Sequence, residues 1–284
     1  MRITTDWHIH SHNSCECHEI GAKIADIMSA AAEQRITDFG VTDHLHSHYN
    51  LPDIQASREE FLALNPPPRF HFGIEVTCMR RWELDEIATG KYDDPVYGIG
   101  QDGPESQPAI DLDEEMVETL GIEFVVGGVH WARGIRPEPE AIIRFFHRQN
   151  MFLVTHPLVD IVAHPWWWHD HFKYTDGRYV PSPWGDDLRD IPRSYHDEFA
   201  AAAVQHNTAV EINHPWLLGK GHGQRAFEQY VEFLAYVKER GVAFALGSDC
   251  HTRPYRPDFE AAGRLLDRLG ITDDDLWRLP PRLR

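Results

Sequence analysis

The sequence predicts an α/β protein folded as one closed or nearly closed parallel barrel. Two patterns carry that expectation. Short apolar runs, rich in β-branched or aromatic residues, alternate with longer amphipathic stretches, which is the signature of βαβ units. Seven such units follow in one run with no low-complexity linker between them, which favours a single barrel domain over residues 1–284 rather than two domains. A third observation, the residue types on which the runs end, predicts where the chemistry sits.

In chain order the strand candidates begin with ITTDWHIH (3–10), TDFGVTDH (37–44), RFHFGIEVT (69–77) and EFVVGGVH (123–130). VDIVAHP (159–165), TAVEIN (208–213) and VAFALGSD (242–249) complete the set. The amphipathic stretches between and after them cover 21–34, 55–64, 111–120, 137–150, 194–206, 223–240 and 257–269. No internal repeat is present. Two connections exceed what a βα turn needs: 78–110, acidic and rich in Gly and Pro, and 166–193, which carries WWWHDHFKY. Long loops in a compact domain are usually functional, so both are expected on the active-site face, the second as an aromatic wall or lid.

Composition narrows the function classes. Hydrophobic residues make up 42% and charged residues 25%, as in an ordinary globular protein. No apolar run approaches the ~20 residues that span a bilayer. The first 15 residues lack the basic start and apolar core of a secretory signal, so a cytoplasmic protein is expected. Cys15, Cys17, Cys78 and Cys250 form neither paired CxxC units nor a disulfide framework. The formal charge of −18, with no basic block, argues against long nucleic acids as partners. An anionic substrate then needs a local inversion of the field, which bound divalent metals would provide. The 19 histidines make metals worth pursuing.

The ends of the runs are His8 and His10; Asp43 and His44; Glu75; His130; His164; Asn213; and Asp249 with His251. Each can bind a metal or orient a ligand. In parallel α/β barrels the carboxyl ends of all strands meet on one face, where active sites form. A lone His at a strand end is most often a hydrogen-bonded structural residue; the same coincidence in all seven runs points to a metal centre. His8 and His10 stand two apart, so a strand through them presents both imidazoles to one face and turns Trp7 and Ile9 the other way. Mixed His and carboxylate ligation suits zinc, manganese or iron.

In this order HIH (8–10), TDH (42–44), GIE (73–75), GGVH (127–130), VAHP (162–165), EIN (211–213) and GSDCH (247–251) resemble the motifs of the PHP family, named for polymerase-associated and histidinol-phosphatase domains. Each motif alone is weak; the ordered set covers about residues 6–252. The resemblance implies a distorted, TIM-like (β/α)7 barrel with three metal ions. Carried over position by position, it implies one site of His8, His10, Glu75 and Asp249. It implies a second of Glu75, as a bridge, with His130 and His164. A third uses His44 and His251 with a group from the loop after HIH. Family spacing, about six residues beyond the second His, lands on Glu16; His18 is the nearest imidazole and the alternative. On that reading Cys15 and Cys17 point away from Glu16 as packing residues, and His12 faces solvent or supports a ligand. Asp43 and Asn213 would orient ligands or water, although a buried amide closing its strand explains Asn213 equally well.

Such a cluster suits phosphate ester hydrolysis, with a metal-bridging hydroxide as nucleophile and the metals neutralising phosphoryl oxygens. Glu75, Asp249 and His251 are then the groups nearest the reaction. The leading expectation is a phosphomonoesterase for a small metabolite, with histidinol phosphate and a nucleotide as two candidates. A phosphodiesterase or exonuclease, a metallohydrolase of other bonds and a metal-binding accessory module are the rivals. Arg80, Arg133 and Arg253 are candidates for gripping the phosphate, with Arg81, Lys220 and Arg225 behind them. Trp166, Trp167 and Trp168 either stack on a substrate or simply pack. Oligomeric state has no signal in the sequence.

Overall fold

The computed structural model describes residues 1–99, 103–131, 135, 138–167, 187–218 and 224–280, apart from the side chain of Trp216. Seven parallel strands form one sheet: β1 (Thr5–Asp6), β2 (Asp38–Val41), β3 (Phe70–Thr77), β4 (Phe124–Gly128), β5 (Ile161–Val162), β6 (Ala209–Asn213) and β7 (Phe244–Gly247). They pair in sequence order, as successive βα units stepping round a barrel do. A short strand, His44–Leu45, adds to β3 with His44 opposite Glu75. Trp7 N–H donates to the Leu246 carbonyl (2.8 Å), Asp249 N–H to His8 (2.7 Å) and His10 N–H to Cys250 (3.1 Å). These bonds join the first and last strands, so the sheet is nearly closed into a barrel.

Strand periodicity divides the side chains between two environments. Along β3, Phe70, Phe72, Ile74 and Val76 join the main core, and alternation puts His71, Gly73, Glu75 and Thr77 on the inner face. Val125, Val162, Val210, Ile212 and Leu246 belong to the same outer layer. The barrel interior is filled by Trp7, Phe124, Val126, Ile161, Ala163, Ala209 and Ala245. Trp277, beyond the last βα unit, packs edge-on to Trp7 at 5.0 Å and joins this plug. Its N–H bonds the Phe244 carbonyl at the start of β7, so the C-terminal segment seals the end of the barrel opposite the strand termini. With that end filled, only the carboxyl ends of the strands are left to build a site.

The helices that cover the sheet are α1 (Ile24–Gln34), α2 (Leu51–Ala63), α3 (Arg81–Ile87), α4 (Glu114–Leu120), α5 (Pro139–Thr155), α6 (Arg193–His206), α7 (His214–Leu218), α8 (Gln224–Lys238) and α9 (Phe259–Leu269). α9 shows how the sequence sets such bounds. Asp258 caps its N-terminus by accepting from Ala261 N–H, and Gly270 ends it in the left-handed conformation. Among the described residues, no helix is long and apolar enough to cross a membrane.

The strands are shorter than the sequence suggests, and the expected ligands lie beyond several of their ends. β1 stops at Asp6, and beyond it only isolated bridges follow, Ile9 to Cys250 and Ser11 to Ala22. Trp7 and Ile9 therefore do not share a face: Trp7 joins the barrel plug and Ile9 the outer core. His164 and Asp249 have left-handed backbones, with φ of 29° and 46°, because the chain turns there to bring each side chain over the barrel mouth. Such conformations are costly for residues with a Cβ and gather where a site demands them.

Candidate metal centre

Glu75 reaches the middle of the mouth from the inner face of β3 and is fully buried. Its two oxygens face different partners. Oε2 lies 3.0 Å from His8 Nε2, 3.4 Å from His10 Nε2 and 3.0 Å from His44 Nδ1. Oε1 lies 3.0 Å from His130 Nε2 and 3.4 Å from His164 Nε2. Asp249 Oδ1 approaches the His8 and His10 Nε2 atoms at 3.4 and 3.2 Å. Glu16 Oε1 lies 3.1 Å from His44 Nε2 and 3.2 Å from His251 Nε2. Three sets of donor atoms result: His8, His10, Glu75 and Asp249; Glu75, His130 and His164; and His10, Glu16, His44 and His251.

Buried neighbours aim these side chains. Glu211, on the inner face of β6, puts Oε1 2.6 Å from His8 Nδ1, while its Oε2 accepts from His164 N–H at 2.8 Å. Asn213, two residues on, donates to Asp249 Oδ2 (2.9 Å). Asp43 accepts from the backbone and hydroxyl of Ser11 (2.5 and 2.6 Å), fixing the turn after His10. Asp6 accepts from Ser248 N–H and Tyr255 O–H, and burial pushes its carboxyl up to about 6. Two glycines make room. A Cβ on Gly247 would lie 1.9 Å from Glu211 Oε1, and one on Gly128 would lie 2.6 Å from Glu75 Oε1.

The electrostatics ask for added positive charge. Burial alone would raise the Glu75 and Asp249 carboxyls, but the surrounding imidazoles outweigh it and hold both well below the usual range. Glu16 is held low against burial by His44, His251 and His10. In return, burial notwithstanding, Glu75, Glu211 and Asp249 raise His8 well above its ordinary value, and Glu16 and Glu75 raise His44 to about 9. His130 goes the other way, depressed by burial to about 4. Ionised carboxylates thus pull a proton onto His8, whose Nε2 lies only 3.0 Å from His10 Nε2. A divalent cation satisfies the same charges and displaces such a proton. The His and carboxylate donors fit zinc, manganese or iron, with hard and borderline ligands and no thiolate needed.

Other residues singled out in the sequence fall elsewhere. His18 is exposed, 3.7 Å from Asp53, and His12 pairs with Glu60 (2.8 Å). Neither cysteine points away from Glu16: the Cys15 thiol lies 2.9 Å from Glu16 Oε2, and the buried Cys17 thiol 3.9 Å from Oε1. Here the loop is a series of tight turns rather than extended, which brings both thiols back to their neighbour. Arg80 is buried against Glu83 (3.6 Å) and the Trp82 ring. The Arg253 side chain is exposed, while its N–H bonds the Ile20 carbonyl. Arg133, Lys220 and Trp168 lie outside the described residues. Trp166 is part of the main core, and Trp167 stands edge-on to His164 at 4.4 Å. Sequence reasoning missed Glu211, Asp6, His46 and Thr77. For Glu211 the signal was there: in EIN it shares a strand face with Asn213.

The chain is similar to the probable phosphatase YcdX of Escherichia coli K12, with 23% identity over 279 residues that cover 96% of this chain and 90% of that protein. YcdX of Shigella boydii serotype 18 matches with the same identity and coverage. Among solved structures, histidinol phosphate phosphatase (HISK) of Lactococcus lactis, complexed with zinc, L-histidinol and phosphate, aligns with a TM-score of 0.64. That alignment is 17% identical and covers 95% of this chain and 94% of the other. The two proteins share a fold, a mostly parallel sheet nearly closed into a barrel with helices around it. No protein-family model matches the chain.

Proposed function

We propose that this chain is a metal-dependent phosphomonoesterase that hydrolyses a small phosphorylated metabolite with three divalent ions, zinc, manganese or iron. One observation carries the reading: the two oxygens of Glu75 face two separate imidazole sets. A carboxylate so divided can hold two ions side by side, the arrangement suited to in-line displacement at phosphorus. The curated relatives are named as probable phosphatases, and the structural neighbour holds zinc with phosphate. Histidinol phosphate is therefore one substrate candidate, and a nucleotide is another. The formal charge of −18 speaks against a long polyanion.

When bound, the ions neutralise phosphoryl oxygens and lower the pKa of water, supplying the nucleophile at neutral pH. The chain's own residues keep this geometry fixed. Glu75 sets the spacing of the first two sites. Glu211 accepts from His8 Nδ1–H, which would leave the His8 Nε2 lone pair to hold an ion. Asn213 holds one Asp249 oxygen and leaves the other for ligation. Glu16, His44 and His251 would hold the third ion, with His10 between the first and third sets. Arg253 and Arg133 are the cations we assign to the substrate phosphate; Arg80 would first have to leave Glu83.

The test is a panel of phosphomonoesters, diesters and amides. Protein is stripped with a chelator and then reloaded with zinc, manganese or iron. Chelation should abolish turnover, reloading should restore it, and monoesters should be preferred at least tenfold. Full turnover by metal-free protein, or faster cleavage of diesters or amides, would overturn the proposal.

A further inference from the structure

His46 was not among the expected ligands, yet it is buried in the wall of the site. Its ring ends a column of four imidazoles: His251, His10, His44 and His46, with successive centroids 4.1, 4.3 and 4.7 Å apart. Trp131 (5.1 Å) and Tyr97 (5.7 Å) flank it. A ring nitrogen of His46 lies within 4.8 Å of donor atoms of His44 and His130, and likewise of Cys15 and Glu16. His46 therefore stands between the second and third donor sets.

Thr77 decides which proton this ring carries. Its Oγ1 lies 2.6 Å from His46 Nδ1 and 2.8 Å from His130 Nδ1. His130 faces Glu75 through Nε2, so as a ligand it keeps its proton on Nδ1 and donates it to Thr77. Thr77 is fully buried, and these rings are its hydroxyl's only described partners. Its one O–H must then donate to His46 Nδ1. That leaves the His46 proton on Nε2, a buried nitrogen with no partner among the described residues.

The same reasoning excludes His46 as a metal ligand beside Cys15 and Glu16. Ligation through Nε2 would put the proton on Nδ1. Two N–H groups would then meet at Thr77, and its hydroxyl proton would be stranded. Buried donors left without an acceptor are costly and mark a place where a ligand completes the bond.

Building on the phosphoesterase reading above, we propose that His46 donates its Nε2–H to a phosphoryl oxygen of the bound ester. It binds substrate as a neutral donor, while Thr77 and His130 are its positioning residues. This gives the site a phosphate contact that needs no arginine.

The test uses zinc-loaded, 15N-histidine-labelled protein with inorganic phosphate as the probe. The 15N shifts of His46 should report a proton on Nε2 and a bare Nδ1, and phosphate should move the Nε2–H signal. H46L should keep its zinc and bind phosphate roughly 10- to 100-fold more weakly. H46Q, which can still offer an N–H, should recover most of the loss. T77V, with its shape kept, should retain zinc, mix the two His46 tautomers and weaken phosphate binding. A proton on His46 Nδ1, loss of zinc in H46L, or phosphate bound by H46L as tightly as by wild type would each overturn the proposal. If wild-type zinc protein bound no phosphate, the phosphoesterase reading would fall as well, whereas unimpaired H46L sinks this inference alone.

Discussion

Glu211 and His8 meet in a short contact: Oε1 lies 2.6 Å from Nδ1, with both side chains buried. The other Glu211 oxygen accepts from the His164 backbone. One carboxylate thus fixes a ring of the first donor set and the turn that carries a ring of the second. Glu211→Gln keeps the size but loses the anion facing His8 Nδ1–H. We expect its affinity for the first-site ion to fall roughly 10- to 100-fold with the fold intact. Competition with a chromogenic chelator, run beside circular dichroism, checks this; wild-type affinity in the variant would refute it.

Glu75→Gln should cost more activity than any other single carboxylate change. Its two oxygens serve separate imidazole sets, so weakening it loosens both. Elemental analysis after gel filtration should find more than one ion lost per chain. Loss of only one would contradict the bridging role.

Glu16 and His18 can be separated by a matched pair of variants. Glu16 Oε1 lies about midway between the His44 and His251 rings, while His18 points outward to Asp53. Glu16→Ala should empty the third site and His18→Ala should leave it full, as metal counting and a crystal structure of each would reveal. The reverse result would make His18 the ligand.

Much of this was legible because local rules suffice for it. Glu75 and Asn213 follow from strand alternation, and the candidate ligands gather at one end of the barrel because parallel strands bring their carboxyl ends to one face. Glu211 obeys the same alternation but reads as an isolated strand carboxylate until His8 is known to lie across from it. His46 and Thr77 are 31 positions apart and acquire meaning only where their side chains meet. The Trp277 plug belongs to no βα unit, so no periodicity announces it. Arg80 is the opposite case: its charge suggests a substrate contact, and only the fold reveals Glu83, three residues on, 3.6 Å from it.

At the far end of β3, on the same inner face as Glu75, His71 should make stability depend on pH. It lies between Asp38 (3.1 Å) and Glu123 (3.0 Å), with its ring 5.5 Å from Trp7. Burial would lower its pKa, but the hydrogen bonds and charges of the two carboxylates prevail and raise it to about 9. The folded protein therefore holds a proton that the unfolded chain releases near pH 6.5. The stabilisation is complete below about pH 6.5 and is lost as pH rises through about 9. Asp38 and Glu123 are partly exposed, so solvent screening trims the effect to about 1–2 kcal/mol. Urea unfolding of wild type and His71→Gln at pH 6 and pH 10 isolates this residue, because contributions from the metal centre cancel in the difference. The gap between the two proteins should be about 1–2 kcal/mol at the lower pH and shrink toward zero at the higher. A gap that stayed constant with pH would mean that His71 is held neutral and acts only by packing against Trp7.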